Sequence, residues 1–153
     1  MTDEGRLLGP GRYRLAQLQV GDRIETGSRQ ITTAMIDGFA DQTGDRFEIH
    51  MDRDAAARHG FADRVAHGLL VLSVVDGLKN QTPAQFDAIA SLGWDWRFQA
   101  PVLVGNTITA RITVTGLRQT SRQDRGIATL DFDVTNQDGV TVQRGQNRLM
   151  IYT

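Results

Sequence analysis

Gly68-Leu69-Leu70-Val71-Leu72-Ser73-Val74-Val75-Asp76-Gly77-Leu78-Lys79 is the stretch on which the fold turns. Its apolar residues surround the segment instead of forming a stripe, and Ser73 is the lone hydroxyl among them. A helix that is apolar all round belongs inside a protein rather than on its surface. The valines permit a strand over the same run, but Gly68, Asp76 and Gly77 suit a strand poorly. The stretch therefore reads as an enclosed helix over about 68–79.

Upstream of it the pattern is also helical. Over Thr32–Thr43, the residues Ile36, Phe39, Ala40 and Thr43 follow the i, i+3, i+4, i+7 spacing of one buried face. Thr32 or Thr33 can cap the start, and Gly44 sits where a helix end favours left-handed geometry. Asp54–His59 reads as a short helix closed by Gly60. From about Leu92 onward the period changes to two. Ile108, Ala110, Ile112 and Val114 alternate with polar neighbours, as do Ala128, Leu130, Phe132 and Val134. Asn136-Gln137-Asp138-Gly139 is a turn leading into strand over Val140–Arg144 and Leu149–Tyr152, and an early strand is expected near Arg23–Ser28. Helices followed by consecutive strands give an α+β fold with an antiparallel sheet, and an apolar helix requires that sheet to curl around it. Residues 1–14, polar and Gly-rich, read as a flexible tip, leaving 15–153 as one domain.

Composition narrows the function. With 153 residues the chain can enclose one sizeable core, burying about 70% of the surface of its unfolded form. Seventeen Lys+Arg against 18 Asp+Glu leave a formal charge of −1, which gives no general attraction to nucleic acid or acidic membranes. The absence of cysteine excludes disulfides, a thiolate nucleophile and cysteine-based metal sites. No run approaches the ~18 apolar residues of a membrane span, and no secretory signal is apparent. A cytoplasmic protein is expected.

Two segments could carry chemistry. In Thr43-Gly44-Asp45-Arg46-Phe47-Glu48-Ile49-His50-Met51-Asp52, a carboxylate and an imidazole stand five residues apart between two helices. Such a pair can divide proton transfer at neutral pH. The competing reading makes Asp45 a turn residue and His50 a packing residue. In Val65-Ala66-His67-Gly68-Leu69-Leu70, the unpaired amides of a helix N-terminus suit a developing oxyanion, and Gly68 allows close approach. Gly68 could equally just relieve crowding. Ser73 lines a cavity or bonds the Leu69 carbonyl one turn back. The histidines His50, His59 and His67 match no common metal-ligand spacing, so no metal is expected. Arg118, Arg122 and Arg125 fall in a polar hairpin tip.

Taken in order, Gly44-Asp45-(four residues)-His50, then Ala66-His67-Gly68 opening an apolar helix with Ser73, then Phe98-Gln99-Ala100-Pro101-Val102-Leu103-Val104-Gly105-Asn106-Thr107, resemble the MaoC-like (R)-specific enoyl-CoA hydratases, from about Leu18 to Tyr152. The resemblance implies a hotdog fold, a curved antiparallel sheet wrapped around a long central helix. It implies hydration of a trans-2-enoyl-CoA, or the reverse dehydration, without metal or redox cofactor. Asp45 and His50 become the catalytic pair, Gly68 the amide that holds the thioester oxygen, and His67, Ser73 and Phe47 substrate-site residues. A homodimer joined edge to edge, or a higher assembly, is implied as well. Where the family carries Asn-Pro after the aspartate and one further residue, this chain has Phe47-Glu48, which keeps the count but loses the proline and brings a further carboxylate toward the pair. Two other readings stand beside this one: a hotdog thioesterase, and an acyl-thioester binding domain without turnover.

Overall fold

The computed structural model describes residues 4–153. Four α-helices come before the long strands: α1 (Thr33–Thr43), α2 (Glu48–Met51), α3 (Arg53–Arg58) and α4 (Gly68–Lys79). Their ends follow from local chemistry. The Thr32 hydroxyl accepts the Met35 amide at the start of α1, and Gly44, at φ 77°, closes it with its amide on the Ala40 carbonyl. α2 and α3 meet at Asp52, whose carboxylate caps α3 by accepting the Asp54 amide. The stretch around His50, expected as a non-helical link, is thus largely a single helical turn.

The short strands are β1 (Gly11–Tyr13), β2 (Arg23–Glu25), β3 (Arg29–Gln30) and β4 (Ala84–Phe86). The long ones are β5 (Ala88–Phe98), β6 (Thr107–Gln119), β7 (Arg125–Thr135) and β8 (Thr141–Tyr152). The main sheet has the order β2-β6-β7-β8-β5 with antiparallel neighbours, and β3 pairs with the start of β6, at Thr107 and Ile108, whereas β2 pairs further along it. β7 alternates buried and half-buried residues along its whole length, so Ala128, Leu130, Phe132 and Val134 all point toward α4. The strand expected over Val140–Arg144 and Leu149–Tyr152 is β8, continuous through 145–148, with Gln143 and Asn147 also facing inward. Strand structure begins earlier than Leu92, at Ala84, where β4 pairs in parallel with β1.

The sheet curls around α4 in the hotdog manner. Val71 and Val75 are fully buried, and Lys79 is buried with its ammonium on Asp76 at 2.8 Å. Enclosure is one-sided within a single chain, however. Leu69 is 59% exposed, and Leu72, Ser73 and Asp76 continue the same i, i+3, i+4, i+7 row outward. The expected N-terminal tip, where described, lies on the domain: Leu8 is buried, β1 pairs with β4, and Arg6 reaches the buried Asp22 at 2.7 Å. Residues 1–3 lie outside the described range.

Candidate active site

The site forms where the ends of α1 and β5 approach the start of α4. The helix stop at Gly44 places Asp45 on an exposed loop. Its Oδ1 accepts the Phe47 amide at 3.2 Å, an Asx turn that leaves the other carboxylate oxygen without a partner inside this turn. His50 is buried at 9% exposure on α2. The segment 64–66 positions it: the Val65 amide donates to the Ile49 carbonyl at 2.9 Å, and His50 Nδ1 donates to the Val65 carbonyl at 2.6 Å. That segment is itself tied to the loop after β5, through Ala66 to Val102 at 2.7 Å and Val104 to Arg64 at 2.9 Å. Since a carbonyl can only accept, the proton sits on Nδ1 of the neutral ring and Nε2 keeps its lone pair.

Burial pushes the His50 imidazole below the ordinary histidine value of 6.5; the bond to Val65 and the Asp45 carboxylate oppose this, while His67 and Arg64 add to it. Ligand atoms of Asp45, His50 and His67 all lie within 4.8 Å of one another, so the acid and the imidazole do converge. A divalent cation, if one were bound, would use the same three groups. His59, the remaining histidine, is elsewhere, with Nε2 at 2.8 Å from Glu48. The carboxylate of Glu48, expected near the pair, thus turns outward to His59 and Arg58.

A cavity of about 500 Å³ opens beside these groups, lined among others by Asp45, His50, His67, Gly68, Phe98 and Gln143. Gly68 opens α4, and no side chain caps that end, so the first-turn amides face the cavity region without intrahelical partners. A side chain at 68 would meet the Phe98 ring, since a Cβ there lies 2.4 Å from its Cε2. Two expected residues are not part of this lining. Ser73 is exposed and donates to the Leu69 carbonyl at 2.8 Å, the local bond that competed with a cavity role. Phe47 covers His50 from outside, edge-on with ring centroids 6.0 Å apart. Arg122 and Arg125 pair with Asp124 at the far end of the strands, where Gln119 faces Gly126, whereas the cavity adjoins the end where Phe98 faces Gln143. Arg97 lies opposite Arg144 on β8.

One supporting residue had no signal in the sequence. Gln143 is 2% exposed; its Oε1 accepts the Trp96 indole N–H at 2.8 Å and its amide nitrogen donates to the Gly68 carbonyl at 3.1 Å. The indole can only donate, which fixes the orientation of the glutamine amide. A buried polar residue in mid-strand breaks the alternation by which strands are recognised.

A curved antiparallel sheet around one helix, with a carboxylate, an imidazole and an uncapped helix start at its mouth, defines a hotdog-fold domain with the makings of an acid–base site. The chain belongs to the family described as MaoC like domain, which matches residues 16–136. It is 33% identical to the (R)-specific enoyl-CoA hydratase of Aeromonas caviae over 129 residues, 84% of this chain and 92% of that one. It is also 39% identical over 105 residues to Protein MaoC of Klebsiella aerogenes, covering 68% of this chain but only 31% of that longer protein. Among solved structures, the monoamine oxidase regulatory protein from Archaeoglobus fulgius superposes with a TM-score of 0.86 at 30% identity over 97% of both chains.

Proposed function

We propose that this protein hydrates the double bond of a trans-2-enoyl-CoA to give a 3-hydroxyacyl-CoA, and catalyses the reverse dehydration, in the cytoplasm. The observation that carries the reading is the convergence of Asp45 and His50 within 4.8 Å beside a cavity that also reaches Gly68. Relatives named as an enoyl-CoA hydratase and as a 3-hydroxybutyryl-CoA dehydratase support it. Water is a weak nucleophile. As its oxygen bonds to Cβ, the Asp45–His50 pair takes one of its protons, and the same pair returns a proton to Cα as the enolate collapses. While the enolate oxygen carries charge, the Gly68 amide holds it. General acid–base help of this kind is worth about 10²–10⁴-fold, and an oxyanion donor roughly 10²–10³-fold.

The working unit in this reading is a homodimer. β5 is an edge strand of 11 residues, and Leu92 on it is 43% exposed. With Phe98, 59% exposed on the same strand, it makes an edge of the kind that proteins pair or cover, and Leu69 on α4 is 59% exposed as well. Pairing β5 with its copy also covers the open face of α4. Sedimentation equilibrium tests this directly, and a monomer at micromolar concentration refutes it.

The function is tested by loss of 2-enoyl-CoA absorbance, starting with crotonyl-CoA and extending to longer chains, for wild type, Asp45→Asn and His50→Ala. Turnover by wild type and its collapse in both variants is expected. Wild-type turnover no faster than the variants at every chain length removes the assignment. Release of free thiol instead of addition of water identifies a thioesterase.

A further inference from the structure

His67 is the one imidazole in the cavity wall to which the acid–base chemistry above gives no work. It is 2% exposed and stands as the residue just before α4. Its Nε2 lies 2.8 Å from the Asp45 backbone carbonyl, 22 positions away in the chain. The carbonyl can only accept, so the Nε2 proton is donated there, and the buried Nδ1 has no partner. One face of the ring stacks on His50, with centroids 4.0 Å apart at 27°, and Phe39 packs at 4.9 Å. The loop it grips is otherwise held only by neighbours close in the chain: residues 44–47 are exposed and contain no proline, and their other ties are the Asx turn, a 3.2 Å bond from the Asp45 amide to the Thr43 hydroxyl, the Gly44 amide on the Ala40 carbonyl, the His50 amide on the Phe47 carbonyl and an ion pair of Arg46 with Asp41.

We infer that His67 is a positioning residue that fixes both members of the acid–base pair at once, holding Asp45 through its backbone carbonyl and setting the plane of His50 by stacking. The inference rests on the hydratase reading for its kinetic consequence, but its geometric content stands alone. The side chain touches neither water nor thioester in this role. It joins an exposed loop, otherwise tied only to residues near it in the chain, and a one-turn helix into a single block anchored to the start of the central helix. Misplacement of a catalytic group by about 1 Å is enough to cost roughly 10²-fold in rate.

The test compares His67→Leu, which keeps bulk and loses the donor, with His67→Gln, which keeps an amide donor. His67→Leu is expected to lower kcat about 10–100-fold while KM stays within about threefold. His67→Gln should recover most of that loss. In an Asp45→Asn background, His67→Leu should remove little further activity, since the positioned group is already disabled. Hydrogen exchange of the 45–47 amides should speed up in His67→Leu and stay slow in His67→Gln, whether or not any thioester is turned over. In the wild type, ¹⁵N shifts of the histidine rings should show His67 with its proton on Nε2. An Nδ1 proton there, full additivity with Asp45→Asn, or unchanged exchange at 45–47 overturns the inference. Absence of enoyl-CoA turnover with slow exchange and the Nε2 proton intact would sink the hydratase reading and leave the clamp standing.

Discussion

Removal of the Gly68 amide hydrogen is the sharpest perturbation the structure offers, and proline is the residue to do it. Gly68 is the first residue of α4, where proline is tolerated because the amide has no intrahelical partner. His67 is at φ −55° and ψ 130°, already the extended conformation that the residue before a proline needs. The backbone therefore accepts the change, and the obstacle is steric: a Cβ at 68 falls 2.4 Å from Cε2 and 2.5 Å from Cζ of Phe98. That ring is 59% exposed and can swing aside, but its displacement would itself disturb the cavity mouth. Phe98→Ala is the proper background. Between Phe98→Ala and Gly68→Pro/Phe98→Ala, loss of one preorganised donor predicts a fall in kcat of about 10²–10³-fold, or roughly 2.7–4 kcal/mol. Decay of 2-enoyl-CoA absorbance at saturating substrate reads this directly, with thermal unfolding as the control for folding. A well-folded double variant whose kcat stays within about threefold of Phe98→Ala refutes the oxyanion role of this amide.

His50 titrates below 6.5, so the acid limb of kcat/KM should lie below that value; a limb at or above it contradicts the assignment of His50 as the proton acceptor. The sign for stability is the same: below 6.5 the unfolded chain takes up a proton that folded His50 still refuses, so stability falls with pH until the folded ring is protonated too. Glu48→Gln should leave that acid limb in place, because the groups acting on His50 are Val65, His67, Asp45 and Arg64; a clear move in the kcat/KM profile would tie Glu48 to the pair. Gln143→Met strands the Trp96 N–H and frees the Gly68 carbonyl, at an expected loss of about 1–3 kcal/mol in urea unfolding together with reduced kcat. Burial alone would raise the Asp22 carboxyl, but the Arg6 guanidinium and the Gln19 amide outweigh it and hold Asp22 below its ordinary value. Its stabilising effect is therefore present above that value and fades as pH falls through the folded pKa. Arg6→Gln should move acid unfolding, followed by circular dichroism, to higher pH.

How far the fold could be read from residues depends on which signal each element carries. α1 begins and ends where Thr32 and Gly44 direct it, because caps are local chemistry, and α4 spans the apolar run that Gly68 opens. β6 and β7 were legible because strands covered on one face alternate with period two. On β5 the alternation is legible only over Trp94–Phe98, where half-buried Trp94 and Trp96 flank exposed Asp95; before that the edge strand is interrupted by register shifts between Ala88 and Ala90 and between Ser91 and Gly93. On β8 the stretch 145–148 was not legible because Asn147 faces inward; its amide nitrogen finds Ser91 Oγ at 2.8 Å and the Gly93 carbonyl at 3.0 Å, partners that only the paired sheet supplies. The uniform apolarity of α4 suggested burial on all sides, whereas the chain buries only one face of it and leaves Leu69 exposed.

The site separates in the same way. The spacing of Asp45 and His50 was enough to suggest convergence, since a loop and one helical turn bring residues five apart within reach. What the spacing could not convey was direction. Once His50 lies on a helical turn, Glu48, two residues earlier, falls about 200° around the axis from it, and residues i and i+2 do not share a face. His50 therefore turns inward to Val65 while Glu48 turns outward to His59 and Arg58. Replacement of Asn-Pro by Phe47-Glu48 thus adds a carboxylate to the sequence around the pair without adding one to the cavity wall. This loop has no proline, and its tie to a distant part of the chain is the contact from His67 to the Asp45 carbonyl, 22 residues away. No pattern in a single sequence marks a bond between one side chain and a remote backbone oxygen, and for that reason the pair was legible and its support was not.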